Sequence, residues 1–77
     1  MTPENTKNRL KEVRLEEGLP KAELARLAGV SVNTIRNIEA NDHHARLETK
    51  HKIVNGINRN PDKTRTYALE YVFPGSQ

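Results

Sequence analysis

The sequence predicts an all-α domain of four helices followed by a short C-terminal element. Apolar residues recur at helical spacing in four successive windows, and Gly, Asn and Pro punctuate those windows at short intervals. The chain is 77 residues long, enough for one modest core. Only 34% of the residues are hydrophobic, and Phe73, Tyr67 and Tyr71 are the aromatic ones, so that core must be mostly Leu, Ile, Val and Ala.

Thr2-Pro3-Glu4 reads as a helix start, with Thr as cap, Pro at the first helical position and Glu at the positive end of the dipole. Leu10 and Val13 follow at helical spacing and Gly18 supplies a stop, which places helix 1 over residues 3 to 17. In PKAELARLA, Leu24, Leu27 and Ala28 share one face, giving helix 2 over 20 to 28. Its cap position holds Pro20, which gives up a side-chain cap. Ser31 is a strong cap for helix 3, over 32 to 40, with Ile35 and Ile38 on its inner side. Asn41 is expected to end that helix in the left-handed conformation. DHHAR is a loop, and Leu47, Ile53, Val54 and Ile57 mark helix 4 over 46 to 58, weakened by Asn55-Gly56. Asn60-Pro61-Asp62 is a turn. The tail TYALEYVFPG fits two patterns: Tyr67, Leu69, Tyr71 and Phe73 alternate as in a strand, while Leu69, Val72 and Phe73 suit a helical turn.

Between helices 2 and 3 stand only Gly29, Val30 and Ser31. Helices joined so tightly cross at a steep angle, the geometry of a helix-turn-helix. Gly29 suits a turn that needs positive φ, where a Cβ would clash. Ala25, four residues earlier, leaves room for helix 3 to press on helix 2. The turn directs helix 3 outward.

The segment GLPKAELARLAGVSVNTIRNIEAN resembles the helix-turn-helix of the lambda-repressor and Cro class of DNA-binding proteins, also called the xenobiotic-response-element family. The likeness extends through RLKEVRLEEG upstream and RLETKHKIVNGIN downstream, about residues 9 to 58, and its carriers include Ala25, Gly29, Val30, Ile35, Ile38 and Glu39. The resemblance implies a lambda-repressor-like bundle, with residues 1–58 as the DNA-binding domain, the motif at about 20–40, and 59–77 as an extension that packs on the core or forms a dimer contact. It implies a buried pair of Arg14 with Glu39. It implies base-facing roles for Val32, Asn33 and Asn37, with Arg36 taking a guanine or a phosphate and Ser31 and Thr34 flanking. Phosphate contacts fall to Lys21, Arg46, Lys50 and Lys52. Pro20 stands where relatives carry Ser or Thr, and Lys50 and His51 where they often carry apolar residues.

Composition narrows the alternatives. The absence of cysteine removes disulfides, thiolate metal sites and Cys nucleophiles. The net charge of +3 is concentrated in residues 44 to 66, where Arg46, Lys50, Lys52, Arg59, Lys63 and Arg65 face only Glu48 and Asp62. Such a stretch is either a solvated face or a surface for a polyanion. His43, His44 and His51 lack the ordered carboxylate support of a metal site, so no metal or other cofactor is expected. No nucleophile and base pair carries motif support, and no Gly-rich phosphate loop is present, which argues against an enzyme. No apolar run nears the roughly 20 residues of a membrane span, and MTPENTKNR lacks a signal-peptide core. The expectation is a cytoplasmic, nucleoid-associated transcriptional regulator, a repressor, acting as a homodimer on double-stranded DNA and of bacterial or phage origin. The competing expectation is an antitoxin or co-regulator whose main task is to hold a partner protein.

Overall fold

Glycines with positive φ stand at the ends of the first two helices, Gly18 and Gly29, and set the direction of the chain that follows. A computed structural model describes residues 8–41 and 45–74. Its elements are α1 (Leu10–Glu16), α2 (Lys21–Ala28), α3 (Val32–Ala40), α4 (Leu47–Asn58) and α5 (Leu69–Val72), with no strand among the described residues.

Helix α1 is shorter than its sequence pattern suggests. The Thr2-Pro3-Glu4 start lies outside the described residues, and Asn8 and Arg9 are not helical. Both are committed elsewhere. Asn8 accepts from the Leu10 amide at 3.0 Å and donates its side-chain amide to the Ile38 carbonyl at 3.0 Å. The Arg9 amide donates to the Val72 carbonyl at 2.7 Å. These bonds replace the helical ladder and stitch the start of α1 to α3 and the tail. At the other end Gly18, at φ +63, turns the chain so that the Leu19 amide reaches the Arg14 carbonyl at 2.9 Å.

Helix α2 starts one residue after Pro20, which is extended and offers no side-chain cap. It ends at Gly29 (φ +75), where the amides of Gly29 and Val30 both donate to the Ala25 carbonyl, at 2.9 and 3.0 Å. An L side chain would be strained there. Helix α3 opens on Ser31, whose hydroxyl accepts from the Thr34 amide at 3.0 Å. It closes differently from the expectation: Asn41 is extended (φ −166), and the chain simply straightens after the Asn41 amide bonds the Asn37 carbonyl at 2.9 Å.

Helix α4 runs unbroken through Asn55-Gly56, and Gly56 lets it cross α2 closely. Gly56 is buried, and a Cβ built there would lie 2.8 Å from the Cα of Ala28. The core joins Leu10 and Val13 of α1, Leu24 of α2, Ile35 of α3 and Ile53 and Ile57 of α4, all without solvent exposure. The tail resolves as a helical turn. Phe73 and Val72 are fully buried and Tyr67 nearly so, and they complete the core from the open end. Helical closure wins over strand because the described structure offers no sheet edge to pair with, and the turn sends Val72 and Phe73 inward together.

A polar seam fastens this tail to the body. The Glu17 carboxylate accepts from the Thr64 amide (2.9 Å), the Thr64 hydroxyl (2.7 Å) and the Tyr67 hydroxyl (2.5 Å). Asn58 brackets Tyr67, accepting from its amide at 2.8 Å and donating to its carbonyl at 2.9 Å. Among the described residues no buried side-chain polar atom lacks a partner.

Candidate nucleic-acid interface

The three residues between α2 and α3 set the orientation of α3, and the pattern of VNTIRNIEA sets which of its sides is free. Ile35 and Ile38 are buried against the core, at 0% and 5% exposure. On the opposite side of the helix Asn33, Arg36 and Asn37 are exposed, and Val32 and Thr34 lie half-buried at the edge. Val32 touches the core, so its side chain is partly spent on packing. Ser31 and Thr34 form a small hydroxyl pair at the helix start, 2.9 Å apart. On the outer face the Arg36 guanidinium donates to the Asn33 side-chain carbonyl at 2.9 Å.

The back of α3 is held by an ion pair. Arg14 Nε donates to Glu39 Oε2 at 2.6 Å, with both side chains under a tenth exposed. The same guanidinium donates to the Leu19 carbonyl at 3.2 Å, so it is held on two sides. This pair joins α1 to the C-terminal half of α3 and lies behind the exposed face.

Next to that face is a depression of about 310 Å³ lined by Thr34, Asn37, Ile38, Asn41, Ala45, Arg46 and Thr49. Its floor is apolar at Ile38 and Ala45, and its rim is polar. Arg46, the exposed residue that opens α4, thus stands beside Asn37 and Thr34 of α3. A polar helix face with a guanidinium at its flank is suited to the edges of bases and to a neighbouring phosphate.

A family model described as helix-turn-helix matches residues 10–64. The chain belongs to the lambda-repressor and Cro-like helix-turn-helix family. It is a DNA-binding helix-turn-helix regulator. No curated protein and no solved structure matches the chain.

Within this helix-turn-helix domain the other cations named from the sequence are scattered. Lys21 is the first residue of α2 and is half-buried. Lys52 is exposed but stands 3.9 Å from Glu48 on the preceding turn of α4. The Lys50 ammonium lies 5.7 Å from the centre of the Phe73 ring. Neither lysine lines the depression beside α3. The rest of the basic stretch is largely structural. Arg59 donates to the Leu27 carbonyl at 2.9 Å, capping α2 from a distance, and Arg65 stacks 4.9 Å from the centre of Tyr67 and 5.1 Å from that of Tyr71.

His51 is exposed on α4, while His43 and His44 lie outside the described residues. Among the described residues no group of three His, Asp or Glu gathers as a metal site would require, and no helix is long and apolar enough to cross a membrane. The sequence reading missed Asn8 and the structural roles of Arg59 and Gly56. Asn8 could have been found as a cap two residues before the first buried Leu; the other two act through partners about 30 residues away.

Proposed function

We propose that this protein is a sequence-specific transcriptional repressor that lays α3 in the major groove of duplex DNA. The carrying observation is the division of α3: Ile35 and Ile38 are buried while Asn33, Arg36 and Asn37 stand exposed on the opposite side. A helix of this kind enters the major groove with its N-terminal residues at base edges, while the preceding helix crosses the backbone. Asn33 bridges the N6 and N7 of an adenine, Val32 offers its methyls to a thymine, and Asn37 reads further along; each good bidentate pair supplies about 1–3 kcal/mol of discrimination. Ser31, Thr34, Lys21 and Arg46 contact the flanking phosphates, with Lys50 and Lys52 joining once their present neighbours release them. On a twofold operator the protein binds as a homodimer, with half-sites about 34–36 Å apart. Its place of action is the chromosome, in the cytoplasm of a bacterium or of a phage host.

The packing of Tyr67 and Phe73 into their own chain supports this reading over that of an antitoxin or co-regulator, which would hold a partner through an exposed tail. The test is selection of bound sequences from random duplex DNA at physiological salt, repeated with Asn33→Ala. Enrichment of a defined motif by the wild type, with one position relaxed in the variant, is the expected result. Binding of equal strength to every sequence would defeat the proposal. Log affinity should fall against log salt with a slope of about 0.9 per phosphate neutralised.

A further inference from the structure

The bond between Arg36 and Asn33 bears on a choice that residue spacing alone leaves open, whether Arg36 serves a base or a phosphate. From the bond between these two exposed side chains we infer that they act as one reading unit, which specifies an A·T pair and a G·C pair in adjoining steps. This inference rests on the reading of α3 as the groove-binding helix.

Residues three apart on a helix are neighbours, with Cβ atoms roughly 5–6 Å apart. The bond of 2.9 Å from Arg36 Nη1 to Asn33 Oδ1 draws the guanidinium back toward the N-terminal turn of α3. That is the end presented to base edges in this mode of docking. Held there, the guanidinium lies among the base-facing positions, with N–H groups beyond the one on Asn33 to offer a base edge. Base pairs stack about 3.4 Å apart, so two side chains this close meet adjoining pairs.

The donor and acceptor inventory closes without a clash. Asn33 Oδ1 has two lone pairs, one for Arg36 and one for the adenine N6 amine, while its Nδ2 donates to adenine N7. Arg36 has five N–H donors; one stays on Asn33 and two others meet guanine O6 and N7. On the free protein the bond is exposed and weak. In the groove, where water is displaced, it strengthens, and each side chain holds the other in place. Discrimination at the two base pairs should therefore be coupled.

The experiment measures affinity and salt slope for the wild type, Asn33→Ala, Arg36→Ala and the double variant, each on the selected operator and its single base-pair changes. Both positions are exposed, so the variants should keep the wild-type melting transition. Arg36→Ala should relax the preference at one G·C pair by roughly 5- to 150-fold with the salt slope unchanged. Asn33→Ala should weaken that same guanine preference, and the double variant should lose less than the product of the single losses. Two results would overturn the inference while leaving groove binding intact: a uniform loss on all sequences with a slope shallower by about 0.9, which marks a phosphate contact, or independent, multiplicative losses at the two base pairs. A wild type that enriches no motif at all would instead defeat the groove-binding reading itself.

Discussion

The outer face of α3 and the seam beneath the C-terminal tail are both polar, yet they are treated in opposite ways. In the seam, Glu17 and Tyr67 are buried and their polar groups are taken up by Thr64, Asn58 and each other. On α3, Asn33, Arg36 and Asn37 face solvent, and the bond joining the first two leaves both with capacity to spare. A polar group removed from water must find its partners inside the fold. One kept in water can hold its donors and acceptors for a ligand. The seam thus contributes stability and, on the function proposed above, the helix face contributes recognition, so substitutions should separate the two.

The largest effect is expected behind α3. Arg14→Ala leaves the Glu39 carboxylate buried without its partner, and should cost about 3–5 kcal/mol in urea or thermal unfolding. Replacing both residues with Met should recover most of that loss. A fully stable Arg14→Ala protein would show that the pair is more solvated than its exposure implies. Phe73→Ala should be nearly as severe, about 3–5 kcal/mol, because it empties the centre of the tail's contact with the core. A loss below about 1 kcal/mol would mean that the tail leaves the body readily.

Smaller but more diagnostic is Glu17→Gln, expected to cost about 1–3 kcal/mol by upsetting the bonds to Tyr67 and Thr64. The Tyr67 hydroxyl, followed by Thr64, holds the Glu17 carboxyl below its usual range. The folded state therefore binds fewer protons than the unfolded chain in acid. The stabilisation is full above the unfolded value of about 4.3 and drains away as pH falls through the lower folded value. Unfolding measured from pH 7 downward should show this acid limb in the wild type, and it should flatten in Glu17→Gln. Tyr67 acts at the other extreme: burial, then Glu17, raises its hydroxyl above the usual value, so its share persists below about pH 10 and is lost as pH rises through the folded value. An acid limb of equal depth in both proteins would remove Glu17 from the account.

The smallest change in stability belongs to the recognition face. Asn37→Ala should alter unfolding by no more than about 0.5 kcal/mol, as expected of an exposed site, while altering the selected DNA motif. If it destabilised the fold as much as Glu17→Gln does, the division between the two regions would fail.

Much of this architecture can be read locally. The bounds of α3 follow from Ser31 as cap and from the inward spacing of Ile35 and Ile38, and the stop at Gly18 and the turn at Gly29 both take positive φ. Each of these signals acts within a turn or two of the chain. The start of α1 is local only in the bond from the Leu10 amide to Asn8; the bonds that fix it against α3 and the tail come from Ile38 and Val72. The same holds for Gly56, a helix weakener by propensity but a close-packing residue once Ala28 lies against it. The basic stretch from 44 to 66 was legible only as charge; folding divides it between Arg46, beside α3, and residues such as Arg59 and Arg65 that serve the fold.

By itself, then, the order of residues determined the number and middles of the main helices, the bend at Gly29 and which side of α3 would be wet, since caps, glycine and apolar spacing act over a few residues. Tertiary structure alone decided the conformation of the tail and the allotment of the cations. The reason is physical: those outcomes depend on which groups meet once the core has closed, and side-chain bonds form or fail according to burial and distance that no local pattern encodes.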